Sequence, residues 1–204
     1  MINNQGLGLL AIGASAGGVH AIRDFLRFLP DSFRLPIVIV QHLPRGPRLD
    51  FNLIYGLRPG RQIMEVEDKM MLREGDVIMA APDYHVSLES DGRLSLSQDE
   101  QVHYSRPSID VFFKSVALSY GSKSAAFLLS GANHDGAAGL LAIHRAGGLT
   151  IVQDPDEAEN STMPKSALAL FEPDHVLGIA ATARLFGDLK GRNIENENLD
   201  RRRS

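Results

Sequence analysis

The stretch Leu7-Gly-Leu-Leu-Ala-Ile12, followed at once by Gly13-Ala-Ser-Ala-Gly17-Gly18, decides the fold. The first segment is an apolar run, which predicts a strand that is buried on both faces. The second segment combines glycines with small residues, which predicts a tight turn. The segment from Val19 to Leu29 then places apolar residues at helical spacing, and Pro30 ends that pattern. A strand, a glycine-rich turn and an amphipathic helix in this order indicate an α/β fold.

The same alternation of strands and helices continues along the chain. Apolar runs predict four further strands, at Leu35–Val40, Ala125–Leu129, Leu149–Val152 and His175–Ile179. Helical spacing predicts helices at Ser108–Tyr120 and Gly136–Ala146, one that opens at Pro164, and one at Ala181–Leu189. Unbroken apolar strands between helices are typical of parallel sheets covered on both sides. We therefore predict a doubly wound, mostly parallel sheet with helices on both faces.

The middle of the chain departs from this alternation. Val77–Ala80 is followed by Tyr84–Glu89 and Arg93–Ser97, and Asp91-Gly92 lies between the last two segments. Alternating segments around Asp-Gly predict a short antiparallel β-hairpin beside the main sheet. Residues 191–204 lack an apolar period, so we predict one domain over residues 1–190 and a disordered tail after it.

Composition excludes several classes of protein and site. The 204 residues include no cysteine, so disulfides and thiolate metal sites are excluded. A net charge of −4 gives no support for nucleic acid as a partner. The N-terminal apolar run is too short for a signal peptide, and no run approaches the ~18 apolar residues of a membrane span. We expect a cytoplasmic protein without stable membrane insertion, and the sequence leaves its oligomeric state open.

Polar residues follow three of the predicted strands at the points where those strands end. The first strand ends in the turn that holds Ser15, and the second ends in Gln41-His42. A later strand ends in Ser130-Gly-Ala-Asn-His-Asp135-Gly136. Because sites in open parallel sheets lie outside the carboxyl ends of the strands, we expect Ser15, His42 and Asp135 to lie close together.

These residue types fit a Ser-His-Asp catalytic triad. Gly13 to Gly17 has the pattern Gly-x-Ser-x-Gly between a strand and a helix, a sharp turn from which a serine projects. Imidazole exchanges protons near neutral pH, and a carboxylate can hold it in one tautomer. Each residue also has an ordinary structural interpretation, Ser15 and Asp135 as helix N-caps and His42 as a loop residue. Their position on three converging strand ends favours the triad.

Other kinds of site fit these turns less well. A dinucleotide-binding fold normally has an acidic residue after the second strand, where this chain has Gln41-His42. A phosphate-binding loop requires lysine followed by serine or threonine after the glycines, which is missing here. His42, His134 and Asp135 are a thin ligand set for a metal ion. We therefore predict no cofactor and no metal. We expect the other histidines that we considered to be surface or helix-face residues; these are His20, His103, His144 and His175.

Seen together, the motifs resemble the chemotaxis protein-glutamate methylesterases from about residue 7 to about residue 180. The triad order Ser, His, Asp agrees with that family and differs from the order in α/β-hydrolases. The segments that carry the resemblance are Ile12-Gly-Ala-Ser-Ala-Gly-Gly18, Val40-Gln-His-Leu-Pro44, Ala81-Pro-Asp-Tyr-His85, Arg106-Pro-Ser-Ile-Asp110, Ser130-Gly-Ala-Asn-His-Asp-Gly136 with Ala137-Ala-Gly139, and Met163-Pro164.

The resemblance implies hydrolysis of glutamate methyl esters on the helices of chemoreceptor proteins, with a carboxylate and methanol as products. Some members of the family also deamidate receptor glutamines. By this resemblance Ser15 is the nucleophile, His42 the general base and then acid, and Asp135 the orienting carboxylate. The implied partners are methylated chemoreceptor-type helices. The implied oxyanion donors are backbone groups around Ala16, Gly17, Ala132 and Asn133.

Three departures distinguish this chain from the usual family member, and the last two leave a second function open. We expect a catalytic domain without the usual receiver domain. Ala16 stands where threonine is common, and Ala132-Asn133-His134 replaces a turn that is often Gly-Met-Gly-Asn-like. A binding module on the same fold, with little or no activity, is therefore the alternative hypothesis, and Arg45-Gly-Pro-Arg48 could dock a glutamate-rich helix in either case. A nucleotide-binding domain is a third hypothesis, which saturable nucleotide binding would support.

Overall fold

The structure is a computed structural model that describes residues 6–43, 50–56 and 62–188, so the predicted tail and the Arg45–Arg48 loop lie outside the described residues. Within the described residues the strands are β1 (Leu9–Ala14), β2 (Ile37–Gln41), β3 (Ile63–Glu65), β4 (Met70–Met71), β5 (Val77–Met79), β6 (His85–Leu88), β7 (Arg93–Ser97), β8 (Ser124–Leu128), β9 (Leu149–Gln153) and β10 (His175–Leu177). The helices are α1 (Gly18–Phe28), α2 (Phe51–Tyr55), α3 (Ile109–Tyr120), α4 (Ala137–Arg145), α5 (Thr162–Leu168) and α6 (179–188).

The main sheet has seven strands in the order β10-β9-β8-β1-β2-β5-β3, and every pairing within it is parallel. From β1 the chain extends the sheet to one side through β2, and later to the other side through β8, β9 and β10. The neighbours β1 and β8 therefore form the topological switch point, where sites in such sheets lie. Gly13 pairs with Val40 on one side and Leu128 on the other, so the three strands end at nearly the same level.

Both faces of the main sheet are covered, as the apolar strands predict. On one face α1, α2 and α6 pack against alternate strand residues, and the Phe25 and Phe127 rings meet edge to face with centroids 5.6 Å apart. On the other face α3, α4, α5 and the small sheet cover the remaining strand residues. Burial of each such aromatic side chain stabilises the fold by roughly 1.5–3 kcal/mol. None of the described helices has the length and apolar character to cross a membrane.

The predicted antiparallel excursion is confirmed, and it contains one strand more than the hairpin. The strands β6 and β7 pair antiparallel through His85 with Ser97 and Leu88 with Leu94, and the two-residue strand β4 pairs with β7. Gly92 closes the turn at a φ of +85°, a conformation that favours glycine. The β6 strand lies against α3.

Several boundaries differ from the sequence predictions for physical reasons. The strand predicted at Leu7–Ile12 extends instead to Ala14, because the backbone of Gly13 and Ala14 still pairs with β2. Pro164 does not open its helix but is the third residue of α5, where its missing N–H lacks an intrahelical acceptor in any case. The strand predicted to end at Ile179 ends at Leu177, and the Glu157 carboxylate accepts a hydrogen bond from the Ile179 N–H at the start of α6.

The short elements α2, β3 and β4 were not predicted. Each has five residues or fewer, and their sequences lack a period long enough to distinguish a strand from a loop. β3 forms because it completes the edge of the main sheet beside β5. Tertiary pairing therefore decides these segments.

Candidate active site

The three predicted residues meet in a chain of hydrogen bonds at the carboxyl edge of the sheet. Nδ1 of His42 lies 3.2 Å from Oγ of Ser15, and Nε2 of His42 lies 2.9 Å from Oδ2 of Asp135. Because an ionised carboxylate can only accept, Nε2 carries the imidazole hydrogen. Nδ1 is then free to accept the hydrogen bond from the Ser15 hydroxyl. This direction of donation is the one required for His42 to take a proton from Ser15.

The turn that presents Ser15 is fixed from both ends. The Ser15 N–H donates to the Ser130 carbonyl over 2.9 Å, and the Gly18 N–H donates to the Ser15 carbonyl over 2.9 Å. Gly17 has a φ of +79°, and a Cβ there would lie 2.6 Å from Oγ of Ser130 and 2.7 Å from Cβ of Glu159. Gly17 is therefore required both by its backbone conformation and by the space around it.

We expect Gly17→Ala to lower the free energy of unfolding by about 1–3 kcal/mol, because a left-handed backbone and a crowded Cβ both oppose the side chain. Urea unfolding measures this change. The matched control is Gly187→Ala in α6, where a Cβ meets only ordinary contacts, at 3.7 Å or more, and the φ is not left-handed. The control should raise stability by roughly 0.5–1 kcal/mol, because alanine suits a helix better than glycine. Equal effects at the two positions would contradict the strain argument.

His42 is held at the end of β2 by its own backbone and by its neighbour. The His42 N–H donates to the Ala14 carbonyl over 3.0 Å, which continues the pairing of β1 with β2. The side-chain amide of Gln41 donates to the Ser15 carbonyl over 2.8 Å and to the His42 carbonyl over 3.0 Å. Gln41 thus connects the turn that holds Ser15 to the end of β2, a role that its place in the sequence did not predict.

Asp135 is fully buried, and the amino end of α3 surrounds its carboxylate with donors. Its Oδ1 accepts from the Ser108 hydroxyl over 2.9 Å and from the Asp110 N–H over 3.0 Å. Its Oδ2 accepts from the Ile109 N–H over 2.7 Å, in addition to His42. A carboxylate at a helix amino end is stabilised by the N–H groups that have no partner within the helix.

At the amino ends of α3 and α4, a carboxylate from each segment accepts hydrogen bonds from the N–H groups of the other helix. Asp135 precedes α4 and accepts from the first turn of α3, as described. Asp110, in the first turn of α3, accepts from the N–H groups of Gly136, the N-cap of α4, and of Gly139 in α4, over 3.0 and 2.7 Å. Gly139 lies so close to α3 that a Cβ there would meet the Asp110 backbone at 3.1 Å. This reciprocal capping locks the position of Asp135 relative to the sheet.

The surroundings of Asp135 lower its pKa below the ordinary value of 3.8. Burial is the largest influence and by itself would raise the pKa, since it disfavours the charged form. The hydrogen bond with His42 and those from the Asp110 and Ile109 N–H groups oppose burial, and together with the attraction to His42 they outweigh it. The carboxylate is therefore ionised over the whole neutral range, as the tautomer of His42 requires.

Because the pKa of Asp135 is lower in the folded state than in the unfolded state, its ionisation stabilises the fold above the unfolded pKa near ~4. That contribution is lost as the pH falls through the lower, folded value. We expect the difference in free energy of unfolding between wild type and Asp135→Asn to shrink as the pH is lowered from 7 to 3. Urea unfolding at several pH values measures it, and a difference that stays constant or grows would contradict this.

A second network places the turn after β8. The Ser130 hydroxyl donates to the Ala16 carbonyl over 2.7 Å and accepts from the Asn160 N–H over 2.9 Å. The Ser130 N–H donates to the Gln153 side chain over 2.8 Å. Met163 packs against Gly131, which leaves no space for a side chain there. Ser130 thus connects the turn that holds Ser15 to the loop before α5.

Within the described residues, no hydrogen bond uses the N–H groups of the predicted oxyanion residues Ala16, Gly17, Ala132 and Asn133. The Ser15 N–H is engaged by the Ser130 carbonyl, so it is unavailable to a ligand. The unused N–H groups belong to the two turns that flank Ser15. The assignment of the oxyanion donors stays a prediction, and the free N–H groups make it chemically reasonable.

The metal hypothesis involved His42, His134 and Asp135, and the structure offers a different trio. Potential ligand atoms of His103, Asp110 and Asp135 lie within 4.8 Å of one another. Both oxygens of Asp135 and one of Asp110 already accept two hydrogen bonds each. Coordination of an ion by this trio would therefore compete with the hydrogen bonds that Asp135 accepts from His42 and from the start of α3.

Of the other histidines, His103 is exposed, as predicted, and His175 is half-buried. His103 lies in a turn, and its Nε2 is 3.3 Å from Oδ2 of Asp110. Its ring packs against the ring of His134 with a centroid distance of 4.3 Å. His175 lies in the predicted last strand, β10, and its Nε2 is buried. His20 is exposed beside Glu159, as expected. A further histidine, His85, is connected to the site through its hydrogen bond with Ser108.

Similarity to known proteins extends over most of the chain. The sequence model of the CheB methylesterase family matches residues 10–185. The chain belongs to this family. A Leptospira interrogans protein with the provisional name protein-glutamate methylesterase/protein-glutamine glutaminase is 43% identical over 189 residues, which cover 91% of this chain and 96% of that protein. Protein-glutamate methylesterase/protein-glutamine glutaminase 1 of Hahella chejuensis is 38% identical over 179 residues, 86% of this chain.

The same comparisons confirm the predicted fold. The catalytic domain of Thermotoga maritima CheB methylesterase superposes with a TM-score of 0.83 at 28% identity. The match covers 90% of this chain and 98% of that domain. By contrast, the chain spans only 49% of the length of the Hahella relative. The similarity thus concerns the methylesterase domain of the family.

Proposed function

We propose that this chain is a serine hydrolase that removes methyl esters from glutamate side chains of chemoreceptor-type signalling proteins. The observation that carries the proposal is the hydrogen-bonded sequence of Ser15, His42 and Asp135 at the switch point of a CheB methylesterase fold. The names of the relatives from Leptospira and Hahella support the substrate class. In this proposal the partner is a methylated receptor helix, and the chain acts in the cytoplasm, where we expect such helices to be accessible.

The first half of the reaction transfers the glutamyl group to the protein. The Ser15 hydroxyl attacks the ester carbonyl while Nδ1 of His42 takes its proton, which gives a tetrahedral adduct. The adduct collapses when the C–O bond to the methoxy group breaks, and the imidazolium returns the proton to that oxygen. Methanol leaves, and the glutamyl carbonyl remains as an ester of Ser15.

The second half regenerates the protein. A water molecule attacks the glutamyl–Ser15 ester and gives one proton to Nδ1 of His42. The new adduct expels the Ser15 oxygen, which takes the proton back from His42. The product is a glutamate carboxylic acid, which ionises at neutral pH. If the substrate is a receptor glutamine, the same steps release ammonia in place of methanol, as the second part of the relatives' names indicates.

Asp135 supports both halves because His42 becomes cationic in each of them. Its charge lies 2.9 Å from Nε2 in a buried setting, where the attraction is stronger than in water. The four other hydrogen bonds of the site, from Ser15 and from the α3 donors, keep imidazole and carboxylate from rotating apart. We assign stabilisation of the tetrahedral oxyanion to the unused N–H groups of the turns at Ala16–Gly17 and Ala132–Asn133.

The decisive experiment combines methanol release from a methylated receptor fragment with labelling by a serine-reactive phosphonate. We expect the wild-type chain to release methanol and to be labelled at Ser15. Ser130 lies nearby, but its hydroxyl is bonded to the Ala16 carbonyl, so we expect no label on it. Tight receptor binding without methanol release and without a label at Ser15 would overturn the proposal in favour of a binding module.

A further inference from the structure

A buried histidine outside the triad is joined to it through one residue. His85, in β6, is 2% exposed. Its Nε2 lies 3.0 Å from the Glu100 carbonyl oxygen, and its Nδ1 lies 3.2 Å from the Ser108 N–H nitrogen. The Ser108 hydroxyl in turn donates to Oδ1 of Asp135. His85 therefore lies two hydrogen bonds away from the carboxylate that holds His42.

These contacts leave a single protonation state for His85. A carbonyl oxygen only accepts, so Nε2 must carry a hydrogen, and a backbone N–H only donates, so Nδ1 must be free to accept. His85 is therefore neutral and protonated at Nε2. This is the same tautomer as that of His42, whose Nε2 donates to Asp135.

Ser108 is the residue through which His85 can act on Asp135. It is the N-cap of α3, with an extended backbone conformation, and its hydroxyl also accepts from the Val111 N–H at 3.4 Å. The three α3 donors to Asp135 come from Ser108 and the two residues that follow it. The bond from the Ser108 N–H to His85 fixes the start of this segment.

We propose that His85 is a positioning residue of the methylesterase reaction, one that sets the Ser108 cap and thereby the orientation of Asp135; this inference rests on the proposed function. A purely structural role is a weaker explanation, because α3 and β6 are bonded elsewhere. The Leu88 N–H donates to the Ser115 hydroxyl over 2.9 Å, and the Ser119 hydroxyl donates to the Leu88 carbonyl over 2.7 Å. These contacts dock α3 on the small sheet without reaching Asp135.

Two substitutions separate the two bonds of His85. In His85→Asn the amide oxygen takes the place of Nδ1, so the acceptor for Ser108 is kept and the donor to Glu100 is lost. In His85→Gln the amide nitrogen takes the place of Nε2, so the Glu100 bond is kept and the Ser108 bond is lost. Ser115→Ala is the structural control, since it weakens the contact of α3 with β6 away from the site.

The experiment measures kcat and KM for methanol release together with urea unfolding for the three variants. We expect His85→Gln to lower kcat roughly 10- to 100-fold at unchanged KM, since a small displacement of a catalytic group has effects of this size. We expect His85→Asn to stay within about threefold of wild type in kcat, and Ser115→Ala to change stability alone. Equal losses of kcat in the Asn and Gln variants, or wild-type kcat in the Gln variant, would overturn the proposal.

A measurement on the wild type covers the case in which the variants do not fold. Nitrogen-15 NMR distinguishes the two neutral tautomers and the charged form of a histidine. We expect His85 to be neutral and protonated at Nε2 at pH 7, and a charged ring or the Nδ1–H tautomer would overturn the inference. Failure of the proposed function has a different signature, because the wild type itself would then release no methanol.

Discussion

Replacing Ser15 with alanine should lower the turnover number for receptor methyl-ester hydrolysis by roughly 10⁴- to 10⁶-fold, the scale on which loss of a triad member acts. The variant lacks the oxygen that attacks the ester in the proposed mechanism, so no glutamyl–serine ester is expected to form. The fold should be unaffected, because the Ser15 hydroxyl is hydrogen-bonded only to His42 within the described residues, while the Ser15 backbone keeps its bonds to Ser130 and Gly18. Methanol release at saturating methylated receptor measures the effect.

The matched control for this substitution is Ser90→Ala, in the exposed turn between β6 and β7. It removes the same hydroxyl group from a position remote from the strand ends, and we expect wild-type turnover. Both variants should also bind methylated receptor with wild-type affinity, since neither loses a charge or a large side chain. Ser15→Ala that turns over at the wild-type rate would refute the nucleophile assignment.

The strand ends show how much of the candidate site can be predicted from the sequence. Ser15, His42 and Asp135 could be predicted because each lies in the turn that follows a buried apolar run, and the rule for parallel sheets then brings these turns to one edge. The order of the strands was not needed for this step. The structure adds that β1 and β8 are direct neighbours, which places the Ser15 and Asp135 turns side by side.

The residues that hold Ser15, His42 and Asp135 in place could not be predicted from the sequence. Ser108 and Asp110 look like ordinary N-terminal helix residues, and the family resemblance of their motif indicated no role for either side chain. Their function depends on the crossing of α3 and α4, which brings two amino ends together so that each carboxylate serves the other helix. His85 was still less visible, because a single histidine in an alternating strand gives no sign of its contacts. Polar contacts between distant segments leave no period in the sequence.

Asp135 contributes both to the stability of the fold and to the proposed catalysis. Its carboxylate accepts four hydrogen bonds, of which only the one from His42 belongs to the proposed chemistry. The other three come from donors at the start of α3. This part of the fold is therefore stabilised by the same negative charge that orients the imidazole. A substitution at Asp135 must therefore alter both properties, and the two effects can be separated.

We expect Asp135→Asn to lower the turnover number by about 10⁴-fold, because the amide can fix His42 in the wrong tautomer. If the amide nitrogen faces His42, it donates to Nε2, and the imidazole hydrogen moves to Nδ1, where it opposes the Ser15 hydroxyl. If the amide nitrogen faces the other way, it opposes the Asp110 N–H. Either orientation leaves a backbone donor of α3 without its acceptor, which should lower the free energy of unfolding by about 1–3 kcal/mol.

Asp110→Asn is the control that separates the two effects. It removes a negative charge from the same junction of helices, but its oxygen can still accept from Gly136 and Gly139, and it does not contact His42. We expect it to lower stability while turnover stays within about tenfold of wild type, since the tautomer of His42 is untouched. Methanol release and urea unfolding, measured on both variants, decide the matter. If the two asparagine variants lost turnover to the same extent, the charge of the junction rather than the tautomer would control the reaction, and Asp135 would lose its assigned role.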